Sequence, residues 1–201
     1  PYLFQVEAVS EQPDIDLESL LGKAVFLAFT PQGAGIHGII QSFAQRESGK
    51  RLTRYQLNIA PQLSYLARRT NQRIFQALNV PKIISTLLEE HGILSNSYQF
   101  QLGPTVYPPR DYCVQYDETD LHFIQRLCEE EGIHYHFQHS PDAHMLVFGD
   151  DQSVFPKLGQ PTVYLPGSGM VANEPAIRRF AMRQHTRSSR VTQRDYNFET
   201  P

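Results

Sequence analysis

The chain has 201 residues, 40% of them hydrophobic and 19% charged, and a formal net charge of −3. This composition excludes a wholly disordered chain, and a charge so close to zero argues against bulk binding to nucleic acid. The longest uncharged stretch, residues 24–45, is interrupted by proline, glycine and histidine, so no membrane-spanning segment is predicted.

Residues 1–60 have the pattern of an antiparallel β meander. Alternating apolar and polar residues and short apolar runs are typical of strands. Four segments show these patterns: Phe4–Ala8, Ala24–Phe29, Ile36–Gln45 and Tyr55–Ile59. Between them, Asp14–Leu21 begins with acidic residues and stops at a glycine, which predicts a short helix. Sequential strands joined by short turns predict a barrel or sandwich module.

Residues 61–105 are predicted to form a helical insertion. Gln62–Thr70 and Pro81–Glu90 both have helical patterns. The second begins with a proline, which suits the first helical position, and Gly92 lies just beyond its end. Its apolar face consists of Ile83, Ile84, Leu87 and Leu88. The proline-containing stretch Ser95–Pro109 is predicted to be a loop.

Residues 106–150 are predicted to form a strand, a helix and a hairpin. The strand is Tyr112–Tyr116, and the helix Thr119–Glu131 follows it with a single apolar stripe and a terminal glycine. Ile133–His139 and Met145–Phe148 then have strand patterns on either side of a turn.

Residues 151–201 are predicted to lead into a further β region. Asp150–Ala176 is rich in proline and glycine and is expected to be a loop, whereas Ile177–Phe198 is expected to hold two strands. The chain is therefore predicted to be α+β: an antiparallel β-barrel-like module with a helical insertion, followed by the start of a second β module. Its two cysteines, Cys113 and Cys128, are expected to be buried thiols rather than a disulfide.

A metal site is one chemical hypothesis. His134 and His136 are two residues apart on one predicted strand, so their imidazoles share a face and could hold a metal ion with Glu131 or His144. The competing interpretation places both histidines on a solvent-facing side of the strand. No His-Glu-x-x-His run is present. We therefore assign no metal-binding residue, and no catalytic or cofactor-binding residue.

The end of the chain is basic. The last 25 residues contain six arginines: Arg178, Arg179, Arg183, Arg187, Arg190 and Arg194. A strand ribbon that turns these side chains outward could bind nucleic acid, or it could pair with an acidic surface of another subunit. The acidic run Glu129–Glu131 is expected to be solvated or to contact another subunit.

Several residues of the predicted strand–helix–hairpin region have clear folding roles. Leu121, Ile124 and Leu127 are expected to seat the helix on a core. Arg126 and Glu130 are spaced to form an i,i+4 ion pair. Gly132 permits the positive φ that lets the chain turn from the helix directly into the next strand.

The stretch Tyr107–Phe137 closely resembles the VgrG family, the spike proteins of bacterial type VI secretion systems, which are related to tailed-phage baseplate hubs. The resemblance is carried by Arg110, Tyr112, Val114, Gln115, Tyr116, Glu118, Asp120, Phe123, Arg126, Leu127, Glu129, Gly132, Ile133, Tyr135 and Phe137. Pro1–Phe4, Arg73–Gln76, Pro81–Gly92 and Arg194–Phe198 resemble the same family. The resemblance therefore covers essentially the whole chain.

This resemblance implies a structural role, without enzymatic activity or a cofactor. Proteins of this family trimerise, dock onto the hexameric ring of a tube protein, and carry effectors or adaptors on later parts of the chain. It implies assembly in the bacterial cytoplasm followed by secretion through the type VI apparatus. A baseplate hub of a contractile phage or tailocin is the alternative, and a metal-dependent hydrolase is a more distant one.

The resemblance also implies a division of the chain. Residues 1–60 would form the meander of a first hub barrel and residues 61–105 a helical insertion. Residues 106–150 would form the signature region, and residues 151–201 the loop and strands that lead into a second barrel. The sequence would thus be part of a hub.

Overall fold

A computed structural model describes residues 1–31, 33–159, 161–165, 176–186, 188–190 and 192. The chain divides into two compact units, residues 1–155 and 156–201. The first unit contains a four-stranded, a three-stranded and a two-stranded sheet together with helices. The predicted α+β class is therefore confirmed.

The N-terminal part of the first unit is an antiparallel sheet with the strand order β1-β4-β3-β2. Its elements are β1 (Phe4–Ser10), helix α1 (Leu17–Leu20), β2 (Ala24–Ala28), β3 (Gly35–Ser48) and β4 (Thr53–Ala60). Register shifts in β3, between Ile40 and Ser42 and between Gln45 and Ser48, bend this long strand and curl the sheet. All four strands predicted in this part of the chain are present.

Residues 61–105, which are predicted to form a helical insertion, differ from this prediction in two places. Gln62–Arg68 is a 3₁₀ helix, and the chain then forms strand β5 (Thr70–Phe75) before helix α2 (Val80–Glu90). A short strand, β6 (Tyr98–Gln101), lies within the predicted loop. Apolar alternation does not identify β5, because two of its inward-facing residues are Asn71 and Arg73. Both are directed at a buried carboxylate instead of packing in an apolar core.

The next region forms the predicted strand, helix and hairpin. Its elements are β7 (Cys113–Thr119), α3 (Asp120–Glu131), β8 (His134–His139) and β9 (His144–Gly149). β7 pairs antiparallel with β5, and the β8–β9 hairpin gains β6 as a third strand, parallel to β9. Gly132 ends α3 with a φ of 68°, as the sequence predicts.

α2, α3 and the 3₁₀ helix contribute to one apolar core together with the β6-β9-β8 sheet. Its almost fully buried side chains include Leu63, Leu66, Ile83, Ile84, Leu87, Leu88, Phe123, Ile124, Leu127 and Phe148. Burying a side chain of this kind stabilises a protein by about 1.5–3 kcal/mol. Cys113 and Cys128 belong to the same core as free thiols, as predicted.

The second unit contains a short parallel pair of strands, β10 (Val163–Tyr164) and β11 (Ala176–Ile177). Past Ile177, the described residues 178–186 lie outside helices and strands, so the first of the two predicted strands is not found there. Apart from residue 192, the second predicted strand lies outside the described residues. Phe180 and Met182 are 81% and 80% exposed, so burial of these side chains does not stabilise a strand in this segment.

No helix in the described ranges combines the length and the apolar character needed to cross a membrane.

Candidate functional site

The candidate site is a buried carboxylate at the start of α3. Asp120 directly follows Thr119, whose side chain caps the helix by accepting a hydrogen bond from the backbone N–H of His122 at 3.1 Å. The helix start places the Asp120 side chain inside the protein, where it is 0% exposed. An ionised carboxylate at such a position requires compensating partners.

Three side chains from different parts of the chain contact this carboxylate closely. Its Oδ2 atom accepts a hydrogen bond from Nε of Arg69 and lies 2.7 Å from Nε2 of His91. Its Oδ1 atom accepts a hydrogen bond from Nε2 of Gln115 at 2.8 Å. Because Arg69 precedes β5, His91 follows α2 and Gln115 lies on β7, one carboxylate ties these three elements to the start of α3.

A second carboxylate, Glu90 at the end of α2, completes the network. Arg69 forms an ion pair with it, and Nη1 of Arg73 lies 2.8 Å from Glu90 Oε2. Arg73 also donates from Nε to Oε1 of Gln115 at 3.0 Å, and its Nη2 lies 3.4 Å from Asp120 Oδ1. The two arginines therefore bridge the two carboxylates, and we call these residues the Asp120 network (Arg69, Asn71, Arg73, Glu90, His91, Gln115 and Asp120).

The network determines the charge of its carboxyl groups. Burial by itself raises the pKa of Asp120, but hydrogen bonds from His91, Gln115 and Arg69 outweigh it and lower the pKa to about 2. At Glu90 burial is likewise outweighed, by hydrogen bonds from the two arginines, and the pKa is lowered. Both groups are thus ionised acceptors at neutral pH. A carboxyl group that acts as a general acid at neutral pH requires a raised pKa, so the arrangement suits structural cross-linking better.

A second set of ion pairs lies along α3. Arg126 binds Glu118 at 2.6 Å and Glu130 at 2.8 Å, which confirms the predicted i,i+4 pair. Arg110 binds Glu130 at 2.7 Å and also pairs with Glu131. Glu129 and Glu130 are exposed, as expected of a solvated run, and Glu130 and Glu131 also contact arginines of the same chain.

The structure does not bring the candidate metal ligands together. His134 and His136 share one face of β8, with ring centroids 6.3 Å apart. This face is covered rather than solvent-facing, because Phe155 stacks on His134 with a centroid distance of 4.5 Å. His144 points to the opposite face of the hairpin, and Glu131 is held by an arginine. Within the described ranges, no group of three or more His, Cys, Asp or Glu side chains is placed to hold a metal ion.

The predicted arginine ribbon is not formed by the part of the chain that is described. Arg178, Arg179, Arg183 and Arg190 are exposed and lie outside strands. Arg187 and Arg194 lie outside the described residues.

Sequence reasoning missed the Asp120 network. Asp120 was identified only as one of the residues that carry the family resemblance, because Arg69 is 51 positions and His91 29 positions away from it. A local signal was present, however. Arg69, Asn71 and Arg73 occupy alternate positions, and such spacing gives one face of a strand a polar surface. A polar strand face that is buried requires a charged partner inside the protein.

The chain matches the phage tail baseplate hub (GPD) family over residues 1–201. It is 62% identical to the type VI secretion system spike protein VgrG4b and 56% identical to the spike protein VgrG5, both from Pseudomonas aeruginosa. These alignments cover 100% of this chain and 25% of each relative, so the chain spans about a quarter of the length of these curated relatives.

A solved structure shows the same fold. The E. coli c3393 protein is described as a component of the type VI secretion system with structural similarity to the T4 bacteriophage tail proteins gp27 and gp5. It superposes with a TM-score of 0.73 and 29% identity, over 82% of this chain and 45% of that one.

Proposed function

Because this chain belongs to the phage tail baseplate hub family, we propose that it forms part of the hub of a type VI secretion spike. The resemblance to VgrG proteins predicted from Tyr107–Phe137 is confirmed. The observation that carries the proposal is the identity of 62% and 56% to two type VI spike proteins, which extends over 100% of this chain instead of a single motif.

The geometry of the signature region supports a structural role. Arg110, Glu118, Asp120 and Arg126 all form ion pairs within the chain. Networks of this kind rigidify a fold when every member has a partner. We therefore propose that this part of the protein acts as a rigid scaffold, and not as an enzyme, and that it needs no cofactor.

The proposed partners follow from the same premise. The full-length protein would form a homotrimer, dock onto a hexameric ring of tube protein, and carry effectors or adaptors on other parts of its chain. It would assemble in the bacterial cytoplasm and then leave through the type VI apparatus. The exposed turn Ser140–Ala143 and the stretch 150–176, which the sequence predicts to be largely loop, are proposed to contact the tube, since binding residues often lie on loops held by a rigid scaffold.

The proposed division of the chain into hub parts keeps the boundaries 1–60, 61–105, 106–150 and 151–201. A hub of a contractile phage or tailocin is the second candidate function. It is favoured by the family match itself and by the described similarity of the E. coli protein to phage tail proteins.

Gene deletion in the source bacterium tests the proposal and separates the two candidates. Loss of the tube protein from the culture medium, restored by the wild-type gene, is expected for a type VI spike. Loss of phage or tailocin particles with normal tube secretion would instead support the second candidate.

The complementing gene can also distinguish a scaffold from an enzyme. Asp120→Asn is expected to lower the amount of assembled protein together with secretion, whereas Glu11→Gln, at an exposed ion pair, should leave both unchanged. Normal assembly with complete loss of function in Asp120→Asn would contradict a purely structural role.

A further inference from the structure

Three histidines meet where the four-stranded sheet contacts the β8–β9 hairpin. His37 lies on β3, His139 is the last residue of β8, and His144 is the first residue of β9. Nδ1 of His37 lies 2.9 Å from Nδ1 of His144, and the backbone N–H of His37 donates to Nδ1 of His139 at 3.3 Å. The backbone N–H of Gln62, just after β4, donates to Nε2 of His144 at 3.4 Å.

These contacts define the tautomer of each ring. Nε2 of His144 accepts a hydrogen bond, so in the neutral ring Nδ1 of His144 carries the proton and donates it to Nδ1 of His37. The proton of His37 is then on Nε2. His139 accepts at Nδ1, so its proton is also on Nε2. Each of the three histidines therefore uses an unprotonated nitrogen as an acceptor.

Protonation of any of these rings removes an acceptor. A proton on Nδ1 of His139 would face the backbone N–H of His37, and a proton on Nε2 of His144 would face the backbone N–H of Gln62. These bonds matter because β4 pairs with β3 only from Ile39 onward, so the main chain of His37 depends on other partners. Its carbonyl accepts a hydrogen bond from the hydroxyl of Tyr2.

Few charges surround the three rings. Tyr2 packs edge-on against His139, with ring centroids 5.2 Å apart, and is neutral at ordinary pH. A cavity of about 130 Å³ adjoins His37 and His144, and Asp142 on the hairpin turn is the acidic residue in its lining. Protonation of all three histidines would thus place three positive charges beside one carboxylate.

The titration behaviour agrees with this geometry. Burial lowers the pKa of His37 and of His139 from the ordinary value of 6.5. Burial, together with repulsion from His37 and His139, lowers the pKa of His144 to about 4. The unfolded chain therefore binds more protons below pH 6.5 than the folded chain. As a result, the stability that these histidines supply is complete above pH 6.5 and decreases as the pH falls towards 4.

We propose that His37, His139 and His144 form an acid-sensitive joint, which holds the four-stranded sheet against the β8–β9 hairpin while the rings are neutral and releases it when they are protonated. The joint goes beyond the proposed hub function. It assigns a pH response to one contact inside the first unit.

Hydrogen exchange of single backbone amides tests the joint in the intact protein. Between pH 7.5 and 5.0, the protection factors of the His37 and Gln62 amides should fall at least tenfold more than that of Leu57 in the centre of the sheet. In the double variant His139→Asn/His144→Gln this extra loss should disappear. Both replacements keep an acceptor near the position of the ring nitrogen but do not titrate. His185→Gln, at an exposed histidine, is the matched control and should behave like the wild type.

The proposal is overturned if the His37 and Gln62 amides keep their protection at pH 5.0, or if they lose it equally in the wild type and the double variant. A measurement on the unaltered protein covers the case in which the double variant does not fold. Imidazole ¹⁵N shifts at pH 7.5 should show a proton on Nδ1 of His144 and on Nε2 of His37 and His139. Protons on the other nitrogens would contradict the joint.

Discussion

Asp120→Asn removes one negative charge from a fully buried position and leaves the size of the side chain almost unchanged. In the variant, the N–H groups of the new amide would face the atoms that contact the carboxylate in the wild type, and these atoms are hydrogen-bond donors of the Asp120 network. Removing one partner of a buried ion pair costs about 3–5 kcal/mol, because the remaining charge has lost its partner. Arg69 is 38% exposed and keeps some water, which favours the lower end of this range.

The lowered pKa gives a second value for the stability that the Asp120 carboxylate contributes. Lowering the pKa of Asp120 from 3.8 to about 2 corresponds to about 2 kcal/mol of stability, since each pKa unit is worth about 1.4 kcal/mol. The expected loss of unfolding free energy for Asp120→Asn is therefore about 2–4 kcal/mol.

Urea unfolding followed by far-UV circular dichroism measures this loss. Glu11→Gln is the matched control, because Glu11 pairs with Arg51 at the surface, where the two side chains are 70% and 86% exposed. An exposed pair of this kind contributes about 0–1 kcal/mol. If Asp120→Asn costs no more than Glu11→Gln, the Asp120 network does not stabilise the fold.

Acid stability should depend on the same carboxylate: the wild type should lose about 2 kcal/mol as the pH falls from 3.8 towards 2, and Asp120→Asn should lack this part of the decrease. Gly132→Ala should cost about 1–2 kcal/mol, because Gly132 has a φ of 68°. Gly38→Ala should cost about 1–3 kcal/mol, since a Cβ there would lie 2.6 Å from Cγ2 of Ile59 and 2.9 Å from the carbonyl oxygen of Ala60. Burial raises the pKa of Cys128 to about 12, so its thiol should not react with a disulfide reagent at pH 8.

Each of these predictions has its own control. Gly159→Ala should not change the free energy of unfolding in the urea assay, because an added Cβ would meet nothing within 4 Å. If Gly159→Ala costs as much as Gly132→Ala and Gly38→Ala, the losses in those two variants do not come from backbone conformation or packing. The thiol reaction is repeated in urea, where Cys113 and Cys128 should both react. Rapid reaction of Cys128 in the folded protein would show that it is not buried. If the stability of Asp120→Asn decreases with falling pH as much as that of the wild type, the Asp120 carboxylate has the same pKa in the folded and the unfolded chain.

The sequence predicts most of the regular elements of the first unit because their patterns are local. The apolar stripe of α3, its terminal glycine and the alternation in β1 and β4 each depend on residues a few positions apart. β5 and β6 are exceptions. The inward face of β5 is polar, and β6 has only four residues, too few for an alternating pattern to stand out.

The two clusters of titratable groups are harder to predict because their members are distant in sequence. Asp120 and Arg69 are separated by 51 positions, and His37 and His144 by 107. The sequence correctly places His134 and His136 on one face of the strand. That Phe155 stacks on His134 depends on how the chain returns over the sheet after the hairpin. Helix and strand periodicity contains no information on that return.

Cryo-electron microscopy of the full-length protein mixed with the proposed tube protein tests the hub proposal most directly. We expect three copies of this protein around a common axis, on a ring of six tube subunits, with residues 1–155 of each copy folded as in the structure described above. Particles in which the protein is monomeric and separate from the tube ring would contradict it.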